Sequence, residues 1–268
     1  MNLNLEDKVF AIVGGSAGMG FAAAEVLAEE KACLALLCRD EDRGQIKAQI
    51  LRKRFGAKVE VFATDASNSK SVEFAFASIF RKFGGLDGLA VTAGPMQRMA
   101  AFNELGDDDW QSYFESQLMS TVRSCRAALP YLEARGGGNI VVTSAYSIRH
   151  QDPRLSAYSA MKQAVAGLSK NIAKSWGSKN IRCNCICPGA ISTEALSTVR
   201  GMAIERYGEQ TDPDLALDKF MVEEWQLDVA LKRVGKPKEV GELIAFLLSN
   251  RAAYMTGALI NIDGGTDF

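Results

Sequence analysis

The 268 residues are 47% hydrophobic and 24% charged, ordinary proportions for a soluble globular chain long enough to bury a substantial core. A formal net charge of -1 gives no basic field for nucleic acid or anionic membranes, and no apolar run approaches the ~20 residues that a bilayer span needs. Six cysteines without a Cys-x-x-Cys do not suggest a disulfide framework, and the only histidine, His150, cannot form a histidine-based metal cluster or a histidine-containing charge triad unaided.

The opening segment through Lys8 lacks the charged-then-apolar pattern of a leader, so a cytoplasmic, metal-free protein is the expectation. Short apolar and β-branched runs then alternate with helical periodicity. The pattern predicts a strand over Lys8–Val13, a helix over Met19–Glu30, a strand over Cys33–Cys38 and a charged helix over Asp40–Phe55. A strand over Val59–Ala63, a helix over Ser69–Phe83 and a strand over Leu86–Thr92 follow. A long amphipathic helix runs from Asp107 to Glu133, with Pro130 near its end, and Gly136–Asn139 forms a turn into a strand at Ile140–Ser144. The remaining elements are a helix over Tyr158–Trp176, a strand over Ile181–Ile186, a helix over Lys238–Ser249 and a strand over Ala258–Asp263. This alternation implies an α/β fold, a doubly wound parallel sheet with helices on both faces that binds ligands beyond the carboxyl ends of its strands. No linker, repeat or low-complexity tract interrupts it, so residues 1–268 read as one domain. Cys183, Cys185 and Cys187 alternate along a strand and read as buried thiols rather than metal ligands.

Two motifs carry chemistry. Directly after the first strand stands Val13-Gly-Gly-Ser-Ala-Gly-Met-Gly20, followed by a helix. Glycines there permit a tight turn and close approach of a pyrophosphate to the helix N-terminus, where unpaired amides and the helix dipole favour anions. The second motif is Tyr158-Ser-Ala-Met-Lys162, whose four-residue spacing puts a phenol and an ammonium on one helix face. A free tyrosine has a pKa of about 10, and a neighbouring positive charge is expected to lower it toward neutral pH. Alone, the pair would read as an ordinary surface pair; the glycine loop changes that reading.

Gly14, Gly18 and Gly20, with Val13 in the place of a threonine, resemble the T-G-x-x-x-G-x-G motif of the short-chain dehydrogenase/reductase family. With Tyr158/Lys162, Pro188-Gly189 and Asp263-Gly-Gly265, the resemblance spans essentially the whole chain. It implies a Rossmann-type sheet of about seven strands, NAD(P)-dependent hydride transfer and a homotetramer or homodimer. It further implies that Gly14, Ser16, Gly18, Met19 and Gly20 form the cofactor loop, with Asp65 and Ala66 at the adenine. Ala93-Gly94 would be the cofactor-facing turn, and Pro188, Gly189, Ile191 and Thr193 the segment that holds the nicotinamide carboxamide. Where NAD-preferring relatives usually place an aspartate stands Cys38, followed by Arg39, whose guanidinium matches a 2′-phosphate. NADP(H) is therefore favoured, with NAD(H) as the alternative should Arg39 only stack on adenine.

By the same resemblance Tyr158 exchanges a proton with the substrate oxygen, while Lys162 tunes the phenol and holds the ribose. Three positions depart from the pattern. The serine expected thirteen residues before the tyrosine is Ala145, leaving Ser144 as the first candidate donor and Ser147 as the second. Ser144 serves only if the strand end is bulged, since a one-residue shift turns a side chain to the opposite face. Losing such a donor would cost about 3 kcal/mol of transition-state stabilisation. The usual Asn-Asn-Ala-Gly is Val91-Thr-Ala-Gly94, and the asparagine that supports the proton relay is Gln117.

About forty residues separate Thr193 from Arg233 and carry Met202, Ile204, Leu215, Leu217, Phe220, Met221 and Trp225 at helical spacing. Residues 193–232 are thus expected to form a helical substrate lid. These side chains, with Met96, Met99 and Tyr146, point to an apolar or aromatic small molecule, and His150 and Gln151 to a polar group on it. The expected function is interconversion of a secondary alcohol and a ketone. The alternatives are an NAD-linked catabolic alcohol dehydrogenase and a dinucleotide-binding sensor or scaffold with impaired turnover.

The Arg39 assignment predicts that Arg39→Ala weakens NADPH binding by about tenfold or more and leaves NADH binding near wild type, as read by fluorescence titration. Equal weakening of both would contradict it.

Overall fold

The computed structural model describes residues 2–94 and 96–266. Its seven strands are β1 (Val9–Val13), β2 (Cys33–Cys38), β3 (Val59–Ala63), β4 (Gly88–Val91), β5 (Gly138–Thr143), β6 (Ile181–Pro188) and β7 (Leu259–Ile262). They form one sheet in the order β3-β2-β1-β4-β5-β6-β7, and every pairing is parallel. The chain builds outward from β1 to β3 and then crosses back to lay β4 on the other side of β1. The carboxyl ends of β1 and β4 therefore flank a topological switch point, where a crevice opens above the sheet.

β1 and β2 are apolar on both sides because both of their faces are covered: all of Val9–Val13 and all of Cys33–Cys38 are buried. Alternation divides them between two cores. Phe10, Ile12, Leu34 and Leu36 pack with Leu27, Ile244 and Leu248 on one face, while Val9, Ala11, Val13, Ala35 and Leu37 pack with Phe76, Leu129, Val165 and Cys183 on the other.

The covering helices are α1 (Gly18–Glu29), α2 (Glu41–Phe55), α3 (Ser69–Phe83), α4 (Asp107–Tyr113), α5 (Ser120–Ala134), α6 (Ser156–Trp176), α7 (Ser197–Tyr207), α8 (Pro213–Lys219) and α9 (Pro237–Leu248). Local chemistry sets several ends. Asp40 caps α2 by accepting from the Arg43 amide at 2.9 Å, and Asn68 caps α3 by accepting from the Ser71 amide at 3.1 Å.

Three features differ from the sequence expectation. The helix expected over Asp107–Glu133 is continuous but contains a π-helical turn, Phe114–Met119, joining α4 to α5. β5 starts at Gly138 and ends at Thr143, and its ladder with β6 continues regularly to the Ser144 amide, which donates to Ile186 O at 2.8 Å. No bulge turns Ser144 around. β6 runs on to Pro188, because its last residues pair with β7. The segment after Thr193 is helical as expected, with α7, α8 and a π-helical turn at Phe220–Glu224.

Gly20 shows how tightly the crevice floor is built. A Cβ there would lie 2.4 Å from both Gly14 O and Thr92 Oγ1. Since the first contact is backbone, Gly20→Ala should destabilise by about 1–3 kcal/mol, seen as a lower urea midpoint at unchanged slope. An unchanged midpoint would mean that the loop moves freely.

Candidate active site

The end of β1, the glycine loop and the turn after β4 are fastened together. Thr92 donates both its amide and its Oγ1 to Val13 O, each at 2.9 Å, and the Gly14 amide donates to Leu37 O at 2.9 Å. Gly14 has φ +85°, and a Cβ on it would lie 2.9 Å from the Ala93 amide nitrogen. The loop thus rests directly against Ala93-Gly94. At the start of α1, Ala17 is the N-cap, contributes no side-chain cap, and no acidic residue occupies the first turn. The helix amides are left for an anion, as a pyrophosphate requires. Gly18 comes within contact of the Thr193 side chain, 3.3 Å from its would-be Cβ to Cγ2, so the loop meets the segment after β6. Ser16 is buried, and Met19 is half-buried at the helix start. This glycine-walled cradle fits a dinucleotide.

At the end of β2, Arg39 is exposed and Cys38 is buried, its Sγ donating to Asp40 O at 3.3 Å. Burial pushes the Cys38 thiol up, partly offset by the Ser16 hydroxyl beside it. Asp65 Oδ1 accepts from the Ser67 amide at 2.9 Å and the Ser67 hydroxyl at 2.7 Å. These bonds, and then the positive charges of Arg39 and Arg123, hold its carboxyl below the ordinary range. Ala66 packs half-buried on the core beside it.

Tyr158 and Lys162 stand one turn apart near the start of α6, with Lys162 Nζ 5.5 Å from the centroid of the Tyr158 ring. Lys162 is 3% exposed, and Nζ donates to Thr143 O at 2.9 Å. Burial pulls its ammonium down to about 8, against a small upward pull from Cys185 and Cys187. The Tyr158 phenol moves up, first through burial and then through Tyr146 and Tyr113 nearby. This runs against the sequence expectation that Lys162 would lower it: burial of the phenol is the largest influence, and the neighbouring tyrosines act in the same direction.

The Tyr113 ring meets that of Tyr158 edge-on, centroids 6.1 Å apart, and its hydroxyl donates to Arg98 O at 2.9 Å. Sequence reasoning missed Tyr113, whose only signal was an inward position on a helix. Gln117 is fully buried, and its Oε1 lies 2.5 Å from where a Cβ on Gly94 would stand. The π-helical turn therefore carries the longer amide stem to the turn after β4, and only glycine leaves it room.

The structure separates the residues around Ala145. Ser144 Oγ donates to Lys162 O at 2.8 Å, so its hydroxyl is engaged with α6. Ala145 is extended, at φ -158° and ψ 157°, and leads into a 3-10 turn over Tyr146–Ile148. Within that turn Ser147 is fully buried and its hydroxyl meets no hydrogen-bond partner among the described residues. Tyr146 stacks on His150 with centroids 6.0 Å apart. After β6, the Gly189 amide donates to Ile262 O at 3.0 Å beside buried Pro188, and Ile191 bridges to Gly235.

A cavity of about 560 Å³ lies at the opposite end of the sheet, where Lys8, the Val9 amide and Arg135 already hold Asp87. Among the described residues no helix is long and apolar enough to cross a membrane, and no group of three or more His, Cys, Asp or Glu could hold a metal.

Residues 13–267 match the sequence family described as enoyl-(acyl carrier protein) reductase. The chain is 32% identical to the 3-oxoacyl-[acyl-carrier-protein] reductase of Chlamydia muridarum over 99% of both chains. It is 30% identical to a 3beta-hydroxysteroid dehydrogenase of Mediterraneibacter gnavus, over 97% of this chain and 95% of that one. The L-sorbose reductase of Gluconobacter frateurii, solved with NADPH and L-sorbose, superposes with a TM-score of 0.91 at 31% identity, covering 99% of this chain and 98% of that one.

A lysine displaced from its ordinary 10.5 to about 8 binds fewer protons folded than unfolded between those values, so its contribution to stability rises with pH there. Relative to Lys162→Met, the wild type should gain roughly 2–3 kcal/mol between pH 7 and pH 10 in denaturant titrations. A constant difference would show an unshifted lysine.

Proposed function

The chain belongs to the short-chain dehydrogenase/reductase family and is an oxidoreductase acting on CH–OH and C=O groups with a nicotinamide cofactor; from that premise we propose an NADP(H)-linked reductase of a ketone on an apolar or aromatic small molecule. The observation that carries this reading is the Tyr158/Lys162 pair on α6, with its phenol held protonated by burial.

When bound, the cofactor supplies or accepts hydride at the nicotinamide. The protein's part is to hold and protonate. Gly14, Gly18 and Gly20 cradle the pyrophosphate, Arg39 takes the 2′-phosphate, and Asp65 and Ala66 stand at the adenine. Ala93, Gly94, Pro188, Gly189, Ile191 and Thr193 line the nicotinamide half. Tyr158 donates its proton to the carbonyl oxygen, and the Lys162 ammonium steadies the phenolate left behind. Gln117 supports the relay behind them. A neutral phenol suits reduction, in which the oxygen gains a proton, better than oxidation.

The donor missing at Ala145 is best supplied by Ser147. Its hydroxyl is buried without a partner, a costly state that a substrate oxygen would relieve, whereas that of Ser144 is bound to α6. Tyr146 and His150, stacked in the same loop, contact the substrate. Residues 193–232 close over it as a lid. Met96, Met99, Met202 and Trp225 are exposed on segments that follow the carboxyl ends of β4 and β6, which favours an apolar ligand. We place the protein in the cytoplasm as a homotetramer or homodimer.

NADPH oxidation across a panel of apolar and aromatic ketones tests the reading. Tyr158→Phe should lower kcat by about 100- to 10,000-fold while NADPH still binds. Ser147→Ala should lower it by about 100-fold or more, with Ser144→Ala closer to wild type. Cofactor binding without turnover of any ketone would instead support a dinucleotide sensor.

A further inference from the structure

Arg43 sits in the first turn of α2, four residues after Arg39, with its amide held by the Asp40 cap. Its guanidinium does not stay with its own helix. Nη1 reaches across to Glu194 Oε2 at 3.4 Å, joining residues 151 positions apart in sequence. Glu194 directly follows Thr193, the residue that touches Gly18, and opens the 3-10 turn Glu194–Leu196 that leads into α7. The pair therefore spans from the β2 end, with Arg39 and Cys38, to the first residue of the helical segment on the far side of the glycine loop.

Resting on the NADP(H) reading, we propose that Arg43 is a second selectivity residue for the 2′-phosphate, and that Glu194 competes with the phosphate for it. Both side chains are well exposed, 44% for Arg43 and 64% for Glu194, so water screens the ion pair and it binds the arginine weakly. A phosphate dianion offers a stronger and geometrically better partner, because a guanidinium can fork onto two of its oxygens. NADP(H) takes Arg43 from Glu194; NAD(H), lacking that phosphate, leaves the clasp as it is. Glu194 thereby sets how far the site prefers one cofactor to the other.

The test is the dissociation constant of NADPH and of NADH, by fluorescence titration, for the wild type and for Arg39→Ala, Arg43→Ala, Glu194→Gln and the double variant Arg43→Ala/Glu194→Gln. Arg43→Ala should weaken NADPH by about tenfold or more with NADH unchanged. Glu194→Gln should tighten NADPH by roughly two- to fivefold, again without moving NADH, and that gain should disappear in the Arg43→Ala background. Since all these side chains are exposed, circular dichroism should report a folded protein in each case. Loss of NADPH affinity in Arg39→Ala but not in Arg43→Ala, or equal effects of Glu194→Gln on the two cofactors, would overturn the clasp while leaving the NADP(H) reading in place. No effect of Arg39→Ala would overturn both.

Discussion

The end of β5 grips one residue of α6 at both of its ends, and the geometry of the site depends on that grip. Lys162 gives its ammonium to Thr143 O at 2.9 Å and takes the hydroxyl of Ser144 on its own carbonyl at 2.8 Å. A charge-assisted bond of this kind contributes about 1.5–3 kcal/mol, and removing one partner costs more, because a buried polar group is stranded. One turn earlier, Tyr158 inherits this rigidity, and the edge of the Tyr113 ring closes its other side at 6.1 Å. The Ser144 hydroxyl is thus spent on holding β5 to α6. That use of Ser144 is the physical reason for looking to Ser147.

Burial acts on the pair in opposite directions and favours the neutral form of each. The phenol keeps its proton, while the ammonium is brought down to about 8. In the reduction we propose, a protonated phenol beside a lysine that is charged at neutral pH gives the proton, and the cation compensates the phenolate left behind. The sheet topology also orders the elements around this pair. The β1/β4 switch point sets the glycine loop against Ala93-Gly94, and Gln117, carried by a π-helical turn, fills the space behind Gly94.

Most of the scaffold was legible because its signals are local. Cys33–Cys38, Val59–Ala63 and Ser69–Phe83 form the elements their patterns predict: β2, buried along its whole length, reads as an apolar run, the partly exposed β3 keeps β-branched Val59 and Val61, and Asn68 and Gly84 mark the ends of α3. The glycine loop was legible for the same reason, a strand, a turn and a helix within a few residues. What was not legible depends on residues distant in the chain. The direction of Ser144 is set by a carbonyl eighteen residues on, the extension of β6 to Pro188 by β7, and the reach of Arg43 by a glutamate 151 positions away. The tyrosine's proton affinity was misjudged because a sequence shows the charge four residues away but not the depth at which both groups lie.

The account stands on Tyr158 being a protonated donor at working pH. The direct measurement is the titration of its phenolic carbon by NMR, in protein labelled with 13C at tyrosine Cζ and assigned by comparison with Tyr158→Phe. The account predicts that this resonance keeps its phenol position past pH 10, beyond the ordinary tyrosine midpoint of 10.0. A phenolate shift centred below pH 8 would contradict it, and would mean that Lys162, not burial, governs the pair.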